Sequence, residues 1–154
     1  MICIDYFYQL LSRREYSAYE LIKKAKEKGF EQNDITEALQ ELQSKEYQSD
    51  TRLVESMISS YQGKYGKSVI KRKCREKGIN ADVFEQIWES QAESEEPGEL
   101  DDLKAKVMRK YKIDDFFSIE PKTKRQLWNY LQYRGFNPSE LLIQWQREQE
   151  EAVE

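Results

Sequence analysis

Histidine is absent from this 154-residue chain, and that absence removes a whole class of chemistry. Without an imidazole there is no Ser/His/Asp or Cys/His catalytic arrangement, no His-ligated metal, and no side chain that ordinarily titrates near neutral pH. Cysteine is scarce as well. Cys3 and Cys74 alone cannot build a Cys-rich zinc site or a disulfide framework, and two widely separated thiols fit a reducing compartment. Glycine occurs six times and proline three, too few for a fold built of hairpins and turns. Long apolar runs are missing too, none approaching the ~18 residues that a bilayer requires. The start, MICIDYFYQLL, carries Asp5 where a secretion signal needs apolar residues, so the expectation is a cytoplasmic protein without membrane association. No glycine-rich phosphate loop, GxSxG, Cys-x-x-Cys or HExxH occurs. Acidic pairs such as Asp101-Asp102 and Asp114-Asp115 do occur, but neighbours on a helix point about 100° apart and do not converge on one substrate. The expectation is therefore a non-enzyme using no metal or cofactor.

What the chain does have is helix punctuation. SAYELIKKAKEKGF opens with Ser17 and places Glu20 three residues later, a capping box, and it closes at Gly29, a residue suited to the left-handed turn that ends a helix. GKSVIKRKCREKGI ends likewise at Gly78, and KTKRQLWNYLQYRGF at Gly135. Each glycine follows a basic residue and precedes an apolar one: Lys28 and Phe30, Lys77 and Ile79, Arg134 and Phe136. Aligned on these glycines, five positions are apolar in every copy: Leu21, Ile70 and Leu127; Ala25, Cys74 and Leu131; Phe30, Ile79 and Phe136; Ile35, Phe84 and Leu141; Leu39, Trp88 and Trp145. Steps of four put these residues on one stripe of each helix, so each unit reads as a helix, a glycine corner and a second helix.

A further amphipathic segment precedes each pair: YFYQLLSRREY, DTRLVESMISSYQGKYG and ELDDLKAKVMRKYKI. The expected fold is all-α, three tandem three-helix repeats at 1–48, 49–92 and 93–154, the last beginning with an acidic linker. IDDFFSIEP reads as a loop ahead of Pro121, and Asn137, Pro138 and Glu140 as the start of the last helix. The linker carries seven acids and no base between Glu89 and Asp102. That composition fits a solvated connection, and the functional alternative is an anionic hinge.

The net charge of −4 conceals a sorting of charge by helix. Tyr61 to Ile79 holds seven basic residues and one acid, Leu103 to Lys112 five and none, and Lys122 to Arg134 four and none. Glu31 to Asp50 holds six acids against Lys45, and Glu140 to Glu154 five against Arg147. Lys28, Lys77 and Arg134 sit at helix C-termini, where the helix dipole favours a cation by about 0.3–1 kcal/mol. That does not explain Lys23, Lys24 and Lys26, or Lys71, Arg72, Lys73 and Arg75, at mid-helix positions where like charges repel. An anionic partner, phosphate backbone or acidic protein surface, explains them better than solvation alone. Among the aromatics, Trp88 and Trp145 fall on the stripe and read as core. Tyr61, Tyr65, Tyr111, Tyr130 and Tyr133 do not, and stand as candidate surface residues.

Taken in order, LSRREYSAYELIKKAKEKGF, SDTRLVESMISSYQGKYGKSVIKRKCREKGI and KTKRQLWNYLQYRGFNPSELLIQW resemble the RecX family, bacterial regulators of the RecA recombinase. The specific parts are SRREYS-x-x-EL, the step made by Asp50, Arg52 and Leu53, the YGKSVIKRKCREKGI helix and the YRGF corner. The resemblance implies an elongated, curved array of repeats that acts as a monomer, binds along the groove of the RecA filament on single-stranded DNA, blocks its extension and lowers ATP hydrolysis, strand exchange and co-protease activity. Through RecA it implies a part in DNA repair, homologous recombination and the SOS response. It maps basic contacts onto Lys67, Lys71, Arg72 and Arg75 and onto Lys124, Arg125 and Arg134. Lys23 and Lys24 join them by the charge argument, and Gly29, Gly78 and Gly135 are the structural corners. Direct contact with the strand is secondary to RecA, because the chain is acidic overall. Two alternatives remain open at this stage: a stand-alone DNA-binding protein using helix-turn-helix-like units, and a helical scaffold for an unrelated protein.

Overall fold

Ser17 shows how the sequence sets helix boundaries. In a computed structural model, its hydroxyl accepts from the Glu20 backbone N–H at 3.0 Å while the Glu20 carboxylate accepts from the Ser17 N–H at 2.9 Å. This reciprocal cap stabilises the start of a helix by about 1 kcal/mol. The structure describes residues 1–92 and 100–153; most of the acidic linker, 93–99, read from the sequence as a connection or hinge, lies outside the described residues with Glu154.

Among the described residues the chain forms nine helices: α1 Cys3–Leu11, α2 Ala18–Lys28, α3 Gln32–Ser44, α4 Asp50–Tyr61, α5 Lys67–Glu76, α6 Ala81–Ala92, α7 Asp101–Tyr111, α8 Pro121–Tyr133 and α9 Pro138–Val153. These make three three-helix repeats, α1–α3, α4–α6 and α7–α9. No strand occurs among the described residues, only an isolated bridge between Gln62 and Tyr65. That bridge lies in the turn after α4, where Gly63 takes φ +83°, so the YQGKYG stretch is a turn and not a continuation of the helix.

Gly29, Gly78 and Gly135 end α2, α5 and α8 with φ of +98°, +80° and +88°. At each corner the residue after the glycine donates to a carbonyl five residues back: Phe30 to Ala25 at 3.1 Å, Ile79 to Cys74 at 3.1 Å and Phe136 to Leu131 at 3.0 Å. The glycines themselves donate to Lys26, Arg75 and Gln132, completing the same Schellman motif three times. Two further helices take the left-handed exit without glycine. Glu46 and Lys112 stand in the left-handed region, and Tyr47 and Ile113 bond back to Leu42 and Met108 at 2.9 Å.

Of the fifteen stripe residues, Phe30, Leu39, Trp88 and Phe136 are half-buried and the other eleven are buried. Burial of a large aliphatic or aromatic side chain contributes about 1.5–3 kcal/mol, so the stripe adds substantially to the cohesion of each repeat, together with buried residues off it such as Phe7, Leu42, Val54, Ile58 and Val107. The chain divides into two compact units, Met1–Ser60 with Lys71–Glu93, and Tyr61–Ile70 with Ser94–Glu154. In the first, Phe7, Leu21, Ala25, Ile35 and Leu42 centre one core, and Cys74 meets Met57 with their sulfurs 3.9 Å apart. In the second, Val107, Leu127, Leu131 and Trp145 centre another. The 113–120 loop contributes two core residues of its own, Ile113 and Phe116, the latter 5.5 Å from the Trp145 ring. Gln149 and Gln146 hold that loop through the Phe116 N–H and carbonyl.

Candidate binding surface

The basic helices are positioned by a contact that occurs twice. Within the first unit, the Ser17 hydroxyl that caps α2 also donates to the Lys77 carbonyl at 2.5 Å, and the Tyr19 ring lies where a Cβ on Gly78 would have to go. Within the second, the Gly66 N–H donates to the Arg134 carbonyl at 2.7 Å, Ser68 donates to the Gly135 carbonyl at 3.1 Å, and Val69 covers Gly135. The positions are equivalent. Ser17 and Gly66 each stand twelve residues before their own corner glycine, and Lys77 and Arg134 each stand one before theirs. The N-terminal turn of one middle helix therefore satisfies carbonyls left open at the C-terminal corner of the next, with opposite dipole ends in apposition. Gly29 alone of the three corners has open space around it.

The motif residues read from the sequence as family features form a clasp in the first unit. Asp50 accepts from the Ala18 N–H and from Gln48, both at 2.9 Å, and buried Gln48 also donates to the Tyr16 carbonyl. Arg52 pairs with Glu15 and donates to the Glu46 and Tyr47 carbonyls. Arg14 stacks 3.6 Å from the Tyr16 ring centroid and pairs with Glu20, which Lys77 also approaches at 3.5 Å. Burial works to raise the Glu20 carboxyl, but the Ser17 N–H, Lys77 and Arg14 outweigh it and hold the group below its ordinary range. These residues position α2 and α4; their work is structural.

The candidate contact residues do not converge on one pocket. In the first unit Lys23 and Arg75 are exposed, without an ion pair among the described residues, and Lys24 lies 5.9 Å from the Tyr16 ring. Lys71 pairs with Glu85 at 2.8 Å, and Arg72 approaches Glu76 at 3.9 Å. Both pairs are exposed enough that a competing anion displaces them at small cost. In the second unit Lys67, Lys124 and Arg125 are exposed. Arg134 is engaged differently: its guanidinium donates to the Lys64 carbonyl at 3.1 Å and stacks 4.8 Å from the Tyr130 ring and 5.8 Å from Tyr65.

Around Arg134 lies a cluster not foreseen from the sequence. Tyr111 meets Tyr130 edge-on at 6.1 Å, Tyr61 meets Tyr65 at 5.6 Å, and Lys110 sits 4.4 Å from the Tyr130 centroid. The Tyr130 hydroxyl is buried without a hydrogen-bond partner. Burial, and then Tyr130, push the Tyr111 phenol up. Of the five tyrosines read as surface candidates, Tyr133 alone is fully exposed, at 87%; the other four pack in these pairs. On α7, Lys106, Arg109 and Lys110 line an open groove with Asp102 and Ala105. On α8, Pro121, Lys124, Arg125 and Trp128 line a second one.

Cys74 is buried, and that burial pushes its thiol up to about 11, against the opposing pull of Lys77. Among the described residues no group of three or more Cys, Asp and Glu side chains could hold a metal ion. Nor is any described helix long and apolar enough to cross a membrane.

Residues 3–42 match the family model described as RecX, first three-helix domain. The chain is 35% identical over 143 residues to the regulatory protein RecX of Haemophilus influenzae (strain PittEE), covering 90% of each sequence. It is 39% identical over 131 residues to that of Legionella pneumophila (strain Corby), covering 84% of this chain and 83% of the relative. Among solved structures, RecX from Lactobacillus salivarius superposes with a TM-score of 0.76 at 17% identity, over 94% of both chains, a likeness of fold. With a near-full-length match at this identity and three three-helix repeats to match, the chain belongs to the RecX family of regulatory proteins.

Proposed function

We propose that this chain is a cytoplasmic, monomeric regulator that binds the RecA nucleoprotein filament on single-stranded DNA and acts without chemistry of its own. Seated in the filament groove, it inhibits filament extension and with it RecA's ATP hydrolysis, strand exchange and co-protease activity, and so modulates DNA repair and recombination. The observation that carries this reading is the set of cations on the middle helices that remain exposed after folding: Lys23 on α2, Arg72 and Arg75 on α5, Lys124 and Arg125 on α8. Cations held outside the fold in spite of mutual repulsion are available to an anionic partner. Lys24, Lys67 and Lys71 belong to the same helices. Arg134 contributes by holding the turn before α5. The three repeats, 1–48, 49–92 and 93–154, are the binding modules, and the corners at Gly29, Gly78 and Gly135 set the direction of each basic helix. A net charge of −4 favours a partner that offers protein surface together with phosphate over naked DNA.

The test adds the chain to RecA on single-stranded DNA and follows ATP hydrolysis and strand exchange. Substoichiometric inhibition is expected. Reversal of Lys71, Arg72 and Arg75 to Glu is expected to abolish it with helical content unchanged. No effect at equimolar chain would sink the reading. A duplex gel shift that is equally strong without RecA would favour the stand-alone DNA-binding alternative.

A further inference from the structure

Pro121, Lys124, Arg125 and Trp128 stand at i, i+3, i+4 and i+7 of α8 and so share one face of that helix. They line an open groove of about 280 Å³. Trp128 is half-buried: part of the indole packs on the core of the second unit, and the remainder forms the groove with the Pro121 ring. Lys124 and Arg125 are exposed and make no ion pair among the described residues. Between Ile119 and Arg134 the chain carries four cations against Glu120 alone. The first turn of α8 holds no acid, and Glu120 provides no side-chain cap.

From this arrangement we infer that the α8 face is a nucleobase-stacking site for single-stranded DNA, with Trp128 as the stacking residue. A planar base lies against the indole, and the phosphates on either side of it meet Lys124 and Arg125 one helical turn away. An unstacked base offers a π-face and flanking charge together, which is the combination this groove matches. A duplex keeps its bases stacked inside, and an acidic peptide presents charge with no planar surface for the indole. The inference deepens the filament reading by giving the chain a direct contact with the strand, in addition to its contact with RecA. Being a property of the chain and the strand, it is testable with RecA left out.

The experiment titrates the full chain at low salt with oligothymidylate, a length-matched abasic phosphodiester, a length-matched duplex and polyglutamate, following tryptophan emission. Oligothymidylate is expected to quench the emission, and the abasic polymer, duplex and polyglutamate are not. Trp128→Leu keeps an apolar side chain on the core but removes the stacking face. It is expected to abolish the quench and weaken binding of a labelled oligothymidylate by roughly fivefold or more. Trp128→Phe is expected to hold the affinity within about twofold, since it keeps an aromatic face. If Trp128→Leu fails to fold, the abasic comparison on the unaltered chain decides alone. Equal binding of abasic polymer, or of polyglutamate, and oligothymidylate would overturn the inference. So would emission that ignores oligothymidylate in a chain that still inhibits RecA, an outcome that leaves the filament reading standing. Quenching by oligothymidylate with RecA unaffected would uphold the inference and remove the filament reading.

Discussion

The junction in the first unit and the junction in the second place the same backbone positions together with different side chains. At Lys77 the carbonyl is met by a serine hydroxyl and the corner glycine is covered by a tyrosine ring; at Arg134 the carbonyl is met by a glycine N–H and the corner is covered by valine. What is common is positional: a donor twelve residues before one corner and an acceptor one before the next. The chemistry is interchangeable provided the donor is small enough for close approach. The difference lies in what a Cβ would strike. On Gly78 it would meet the root of the Tyr19 side chain, whose own Cβ no rotamer change moves, whereas on Gly66 it would meet the Gly135 backbone itself.

Four substitutions, taken in falling order of destabilisation, separate these contributions. Gly135→Ala adds left-handed strain of about 1–2 kcal/mol to overpacking of about 1–3 kcal/mol, so urea melts should show a loss on the order of 3 kcal/mol. A loss no greater than that of Gly29→Ala would mean the junction is loose. Ser17→Ala removes a cap and leaves the Lys77 carbonyl short of a donor, an expected loss of about 2 kcal/mol. Gly29→Ala meets open space and should cost about 1 kcal/mol, from backbone conformation alone. Glu20→Gln tests the electrostatic part of the clasp. The Glu20 carboxyl is held below its ordinary value of 4.5, so its contribution is complete above that pH and is lost as pH falls through the lower folded value. The variant should therefore be less stable at neutral pH and show a shallower loss of stability on acidification below about pH 4.5. An unchanged pH profile would show that the Arg14, Lys77 and Ser17 contacts do not hold this charge.

The repeat itself was legible in the sequence because it is local. Glycine corners, a capping box and a four-residue apolar step all act within one or two turns, and the fifteen aligned positions are buried or half-buried without exception. The Glu46 and Lys112 helix ends were not legible, since they take the left-handed turn without the glycine that usually announces it. Phe116 was hidden by lying in a loop, its burial set by Trp145 and Gln149 on α9. Likewise Arg134 reads as one more cation at a helix end, and its attachment to Lys64 and Tyr130 depends on residues a repeat apart and a turn back. The junction positions are visible only once the repeats are aligned, because the pairing joins position −12 of one repeat to position −1 of the next. Lys23, Arg75, Lys124 and Arg125 were legible as charge and remain exposed after folding, whereas Lys71 and Arg72 also carry ion pairs.

Whether the basic helices engage the filament is decided by co-sedimentation with RecA on single-stranded DNA, with the unaltered chain compared to Lys71→Glu/Arg72→Glu/Arg75→Glu of equal helical content. The account predicts that the unaltered chain pellets with the filament and the charge-reversed chain stays in the supernatant. Equal pelleting of both would contradict it.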